Sequence, residues 1–227
     1  MYQLTIANKN YSSWSLRPWL LMRELAIPFD ERLVPFSTGP CDNSFLAFAP
    51  NGKVPCLHDG GQVIWDSLAI IEHLAERHAA VWPADPVARS WARCVSAEMH
   101  SGFGALREQC TMNCGIRVCL ATIAAALQGD IARIVAIWNE GIARFGGPFL
   151  AGSQFHAVDA MFAPVALRFQ TYGVALTGPA ATYCSMLLAR PAVQDWYDAA
   201  LQETWREPGH EEEAHLAGTW LEDLRRR

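Results

Sequence analysis

The pattern of apolar and polar positions changes period near residue 80. Before it, short apolar runs suit strands, and two helical patterns lie among them. After it, spacings of three and four dominate. Residues 2–7 alternate and predict a strand; residues 8–11 are polar turn material. Leu16, Trp19, Leu20 and Leu25 keep helical spacing. Pro18 is harmless only in a first turn, which puts the N-cap near Ser15, with Ser12 and Ser13 in the loop before it. Residues 29–34 predict a second strand, 36–40 a loop and 43–48 a short helix.

Residues 51–74 read NGKVPCLHDGGQVIWDSLAIIEHL. Two short apolar runs flank Asp59-Gly60-Gly61, the pattern of a β-hairpin. Pro55 cannot donate to a ladder and belongs at the first position of its strand. After a Gly turn and before a buried strand, it is a candidate cis peptide. Asp66-Ser67 has N-cap chemistry for the helix carrying Leu68, Ile71 and Leu74; the same helix start can receive an anion. The order β-α-β-α-β-β-α predicts a thioredoxin-like α/β domain over residues 1–78.

Residues 79–86, with two prolines, read as a linker. Strand patterns then disappear, and residues 86–227 predict an all-helical C-terminal bundle domain. Residues 87–109 look helical, weakened at the end by Gly102 and Gly104. Ile116, Leu120, Ile123, Leu127, Ile131, Ile134, Trp138, Ile142 and Phe145 predict one long amphipathic helix over 116–145, with Gly129 a kink or break. Helices follow at 158–172, 180–188 and 192–203. Residues 208–214 read as acidic and loosely ordered, and Trp220 and Leu221 as packing a last turn.

A content of 51% hydrophobic and 18% charged residues makes the chain globular. A net charge of -5 argues against a general nucleic-acid surface. No apolar run approaches a membrane span, and the first residues lack a secretory signal pattern, so a cytoplasmic protein is expected. The seven Cys fall at irregular positions. Cys110, Cys114 and Cys119 cluster without a His at ligand spacing, so no metal site is expected. Arg168 interrupts an otherwise apolar helix and needs a partner, either Asp159 or a substrate carboxylate, with Asp159 preferred.

Taken together, Val54-Pro55, Asp66-Ser67, the hairpin between them and the apolar helix after them resemble the glutathione-binding half of the cytosolic glutathione S-transferases. The resemblance spans about the first 205 residues and implies a two-domain homodimer using glutathione as co-substrate. By it, the Val54-Pro55 backbone meets the cysteinyl part of glutathione and Asp66-Ser67 hold the γ-glutamyl end. Asp66 replaces the commoner Glu or Gln. Lys53 stands where it can reach the glycine carboxylate.

Ser12-Ser13-Trp14-Ser15-Leu16-Arg17 resembles the zeta-class Ser-Ser-Cys-Ser run with its following Arg, Trp14 replacing the Cys. By that match Ser12 is the first candidate to stabilise the thiolate, Ser13 the second and Tyr11 a competitor; the serines could also simply cap the helix. Arg17 lies near the thiol site or serves as an ion-pair partner. His156 and Asp159 occupy the family's Ser/Thr-x-x-Asp capping box. Met112, Phe103 and Tyr172 are plausible liners of a second-substrate site. The expected function is attack of glutathione on a small-molecule electrophile: conjugation, dehalogenation or isomerisation. The alternative is a non-catalytic glutathione-binding or protein-interaction module of the same fold. A disulfide reductase is disfavoured because the first loop lacks C-x-x-C.

Overall fold

The computed structural model describes residues 1–36 and 44–226. The loop expected at 36–40 and the start of the helix expected at 43–48 fall largely outside the described residues.

The first unit runs β1 (Tyr2–Ile6), α1 (Ser13–Glu24), β2 (Phe29–Leu33), a 3-10 turn (Ser44–Ala47), β3 (Cys56–Asp59), β4 (Gln62–Ile64) and α2 (Ser67–Ala75). The sheet order is β2-β1-β3-β4. β1 pairs parallel with β2, Leu4 opposite Glu31, through the α1 crossover; it pairs antiparallel with β3, Leu4 opposite Leu57. This is a thioredoxin-like sheet with its helices. Leu4 and Ile6 of the central strand are fully buried.

A 3-10 turn (Ala79–Val81) leads into α3 (Pro86–Ser101), α4 (Gly104–Gln109), β5 (Ile116–Leu120), α5 (Ala125–Phe145), α6 (Ala157–Thr171), α7 (Gly178–Leu188), α8 (Pro191–Gln202), α9 (Pro208–Ala217) and β6 (Gly218–Asp223). α6 is buried along nearly its whole length and packs on α1, α3 and α7. α1 lies between this helix and the sheet, so Leu16, Leu20, Leu21 and Met22 are all inaccessible and no clean polar face exists.

Several expectations need correction. Residues 86–227 are not all helical, because β5 and β6 form a two-stranded antiparallel sheet. Ile116 and Val118 are buried while Cys119 is exposed, a period of two that the helix spacing of Ile116 and Leu120 masked. The long helix therefore begins only at Ala125 and continues through Gly129. The helix expected over 87–109 breaks at Gly102, and Phe103 takes a left-handed conformation, φ 62°. α1 opens at Ser13 with Ser12 as N-cap, so Pro18 sits in its second turn.

Residues 208–214 lie in α9, started by Glu207, whose Oε2 accepts the His210 N–H at 2.7 Å. Trp220 lies in β6, stacked on His215 at 3.9 Å between ring centroids. Val81 and Trp82 bury the linker, and His156 Nδ1 donates to the Ala80 carbonyl at 2.8 Å. The expected capping box is formed at the start of α6, where Asp159 Oδ2 accepts the His156 N–H at 3.0 Å.

Candidate active site

Two adjoining cavities open between the sheet unit and the helical unit. The smaller, about 310 Å³, is bounded by Asn51, Pro55, Asp66, Ser67 and His100. The larger, about 490 Å³, is bounded by Ser12, Ser13, Phe36, Phe45, Met112 and Arg168 among others. Trp14, Lys53 and Val54 line both, so the two form one trough.

In the smaller cavity Val54–Pro55 is cis, as the Gly turn before it led us to expect, and the Trp65–Asp66 peptide is also cis. The carboxylate of Asp66 caps α2, accepting the Leu68 N–H at 3.1 Å, and pairs with His100 Nε2 at 3.2 Å while remaining half exposed. Ser67 is fully buried, yet its hydroxyl has no partner among the described residues. An orphaned buried hydroxyl is costly unless a ligand satisfies it. Beside a helix N-terminus, and lining one cavity with the acceptor Asp66 and the cation Lys53, it completes a polar set suited to a zwitterionic peptide end.

In the larger cavity Ser12 and Ser13 are both nearly inaccessible. The Ser12 hydroxyl donates to Ser15 Oγ at 2.7 Å, and Ser15 Oγ also accepts the Ala7 N–H at 3.3 Å. Ser12 is therefore turned toward the helix start. Ser13 Oγ accepts from Arg168 Nη2 at 3.3 Å, which leaves its own hydrogen for a ligand.

Tyr11 also lines the larger cavity, but its hydroxyl hydrogen is already engaged. Its hydroxyl donates to Glu211 Oε1 at 2.7 Å and accepts from Arg225 Nη1 at 3.2 Å. Burial first, then Glu211, push its ionisation far above the ordinary phenol range. Of the other liners expected, Met112 borders the larger cavity. Tyr172 is buried, its hydroxyl 3.2 Å from Thr111 Oγ1, and Phe103 is buried at the start of α4.

The Arg168–Asp159 pairing is not formed. Nine residues apart on one helix, the two side chains face opposite sides, about 13 Å along the axis. Asp159 instead accepts from the Leu150 and His156 N–H groups, each at 3.0 Å, and from the Tyr183 hydroxyl at 2.9 Å. Burial pushes its carboxyl up to about 6. Arg168 donates to the Cys110 carbonyl and to Ser13. Arg17 is not ion-paired by a carboxylate hydrogen bond: its Nε donates to the Met161 carbonyl at 3.3 Å, and its guanidinium lies 4.2 Å from the Trp14 ring centroid.

Sequence reasoning missed Arg107, His100, His210 and Glu213. Arg107 lies 4.6 Å from the Trp14 ring on the side of the larger cavity. His210 and Glu213 reach the trough because α9 folds back over it. No local pattern marks these positions. Among the described residues no cluster of His, Cys, Asp and Glu could hold a metal ion. No helix there is long and apolar enough to cross a membrane.

Comparison with known proteins agrees with this geometry. The glutathione S-transferase N-terminal domain family model matches residues 11–77, and the C-terminal domain model matches residues 121–199. A glutathione S-transferase-like protein, OpS6, from Beauveria bassiana is 27% identical over 198 residues, covering 78% of this chain and 88% of that protein. A probable maleylacetoacetate isomerase from Caenorhabditis elegans is 34% identical over 93 residues, 40% of this chain and 42% of that one. A glutathione transferase homologue from Burkholderia, solved with bound glutathione, superposes with a TM-score of 0.65 at 22% identity, covering 88% of this chain and 97% of that one. The chain belongs to the glutathione S-transferase family.

Proposed function

We propose that this chain is a glutathione transferase that binds glutathione along the trough and directs its sulfur at an electrophilic carbon. The observation that carries the reading is the buried, unpartnered Ser67 hydroxyl beside the N-terminus of α2. Ser67 and the α2 amides hold the γ-glutamyl carboxylate, Asp66 its ammonium, the Val54 backbone the cysteinyl amide, and Lys53 the glycine carboxylate. The sulfur then falls at the start of α1.

There the free N–H groups of the helix and the nearby Arg168 charge favour a thiolate, and the Ser13 hydroxyl donates to it. Ser12, held by Ser15, fixes the loop and is the second donor. Trp14 fills the place that would otherwise offer a protein thiol. Cys56, Cys110 and Cys184 are buried with their thiols pushed up to about 11 by burial, so none competes as a nucleophile. The serine loop supports a zeta-like member of the family, and the partial similarity to the nematode protein is in keeping with it. The apolar Val63 and Trp65 are left exposed by edge strand β4 and the turn after it, and we include a homodimer in the reading. Sedimentation at twice the chain mass tests that part. Unpaired cysteines suit a reducing, cytoplasmic setting.

The test is the pH profile of conjugation. Ser13→Ala should move the onset of activity up by about one pH unit, the loss of one charge-assisted hydrogen bond. Ser12→Ala should move it less. Unchanged profiles in both variants would take the serines out of the mechanism. Retention on immobilised glutathione without turnover of any electrophile would instead make the chain a binding module.

A further inference from the structure

Arg17 and Arg107 stand against the Trp14 ring, Arg168 lies near enough to interact electrostatically with both, and none of the three makes a hydrogen bond to a carboxylate among the described residues. Arg168 donates to the Cys110 carbonyl and Ser13 Oγ, Arg107 to the carbonyls of Gly102 and Met99, and Arg17 to the carbonyl of Met161. All these acceptors are neutral. Arg17 is 1% exposed and its Nη1 has no acceptor among the described residues; Arg168 is 7% exposed. Burial first, then the neighbouring arginines, depress the ionisation of Arg17 and Arg168, the latter to about 10.

The surrounding acids are already engaged or peripheral. Asp66 favours the Arg17 charge from a distance but is paired with His100, Asp130 favours the Arg107 charge but accepts the Leu106 N–H at 2.9 Å, and Glu213 is exposed on the rim. Buried cations that no carboxylate hydrogen-bonds are expensive, and an anion entering the cavity would offset that cost.

Bound glutathione would not neutralise this cluster. On the reading above, its two carboxylates lie at Ser67 and Lys53, and its thiolate supplies one negative charge near Ser13 and Arg168. Arg107 lines the larger cavity together with Phe36, Phe45 and Met112. We propose that the larger cavity takes an electrophile carrying a carboxylate, held by Arg107 and Arg168, with an apolar body against Phe36, Phe45 and Met112. The proposal rests on the transferase reading and names its substrate class.

A matched pair of aryl chlorides tests it: 4-chloro-3,5-dinitrobenzoate and 4-chloro-3,5-dinitrobenzamide. In each, the thiolate sulfur bonds to the carbon bearing chlorine. The C–Cl bond then breaks, and chloride leaves with the bonding pair; the thiol proton has already gone to solvent. Each kcat/KM is divided by the uncatalysed rate of the same compound with glutathione. The full-length enzyme should prefer the benzoate about tenfold or more, and Arg107→Gln and Arg168→Lys should each reduce that preference severalfold. Turnover of both compounds with no preference overturns the subsite and leaves the transferase reading standing.

If neither compound turns over, calorimetry decides the subsite without turnover. The S-aryl glutathione thioether bearing the acid should bind the wild-type protein about tenfold tighter than the one bearing the amide. Equal affinities overturn the proposal.

Discussion

Replacing Ser67 by alanine separates the role of this residue in folding from its role in binding. The hydroxyl is fully buried with no partner among the described residues, and Asp66 rather than Ser67 caps α2. Leaving such a group unsatisfied costs about 1–3 kcal/mol, and alanine removes that cost without opening a cavity larger than one oxygen. The free protein should therefore hold its stability or gain up to about 1 kcal/mol, a Tm rise of about 2–4 °C for a chain of this size. Binding should move the other way. A hydrogen bond to a charged carboxylate contributes about 1.5–3 kcal/mol, so the Kd for glutathione should rise roughly 10- to 150-fold. Thermal unfolding with and without glutathione, together with titration calorimetry, reads both quantities. A variant that unfolds several degrees earlier while binding glutathione as well as wild type would show that the hydroxyl serves the fold and not the ligand.

Other predictions address the fold around the site. Gly141→Ala should destabilise by about 1–3 kcal/mol in urea denaturation, because its Cβ would lie 2.5 Å from both the Leu150 carbonyl oxygen and Trp91 Cη2; a gain would show that the helix propensity of alanine outweighs the clash. Arg225→Ala removes the shared partner of Glu211, Asp223 and Tyr11, and should loosen residues 208–223 by about 2–3 kcal/mol, less than a fully buried pair because Asp223 is half exposed. Unchanged amide exchange there would contradict the latch. Acid should release the same segment. Burial alone would raise Glu211, but its bonds to Arg225 and Tyr11 bring it below the ordinary range; Asp223 is lowered chiefly by its bond to Arg225. Depressed carboxylates stabilise fully above their unfolded values and stop doing so as pH falls through the folded ones, so the Trp220 indole resonance should shift below about pH 4 and stay fixed from 5 to 8.

The sheet unit was legible in the sequence because its signals are local. The Asp59-Gly60-Gly61 turn, the Val54-Pro55 start and the Asp66 cap each act within a few residues, and the structure shows the hairpin, the cis bond and the capped helix. β5 and β6 were not legible, since each depends on a partner about a hundred residues away and Ile116 and Leu120 also fit helical spacing. α9 was hidden for a related reason: its acidic run resembles a solvated tail until Arg225, folding back, pairs with Glu211. The serines of the first loop were readable as a pair, but not their division of labour. Which hydroxyl keeps a free hydrogen is set by Ser15 on one side and by Arg168, 155 residues away, on the other. Arg107 left no trace in the pattern, because its side chain becomes significant only where the chain breaks at Gly102 and turns it over Trp14.

The account stands or falls on the ionisation of glutathione bound in the trough. Titrating the ultraviolet thiolate absorbance of the saturated wild-type complex measures it directly. A thiol pKa lowered by about one to two units from the free value of roughly 8.5 is the expected result. A bound thiol that titrates as it does in free solution would contradict thiolate stabilisation at Ser13 and the start of α1.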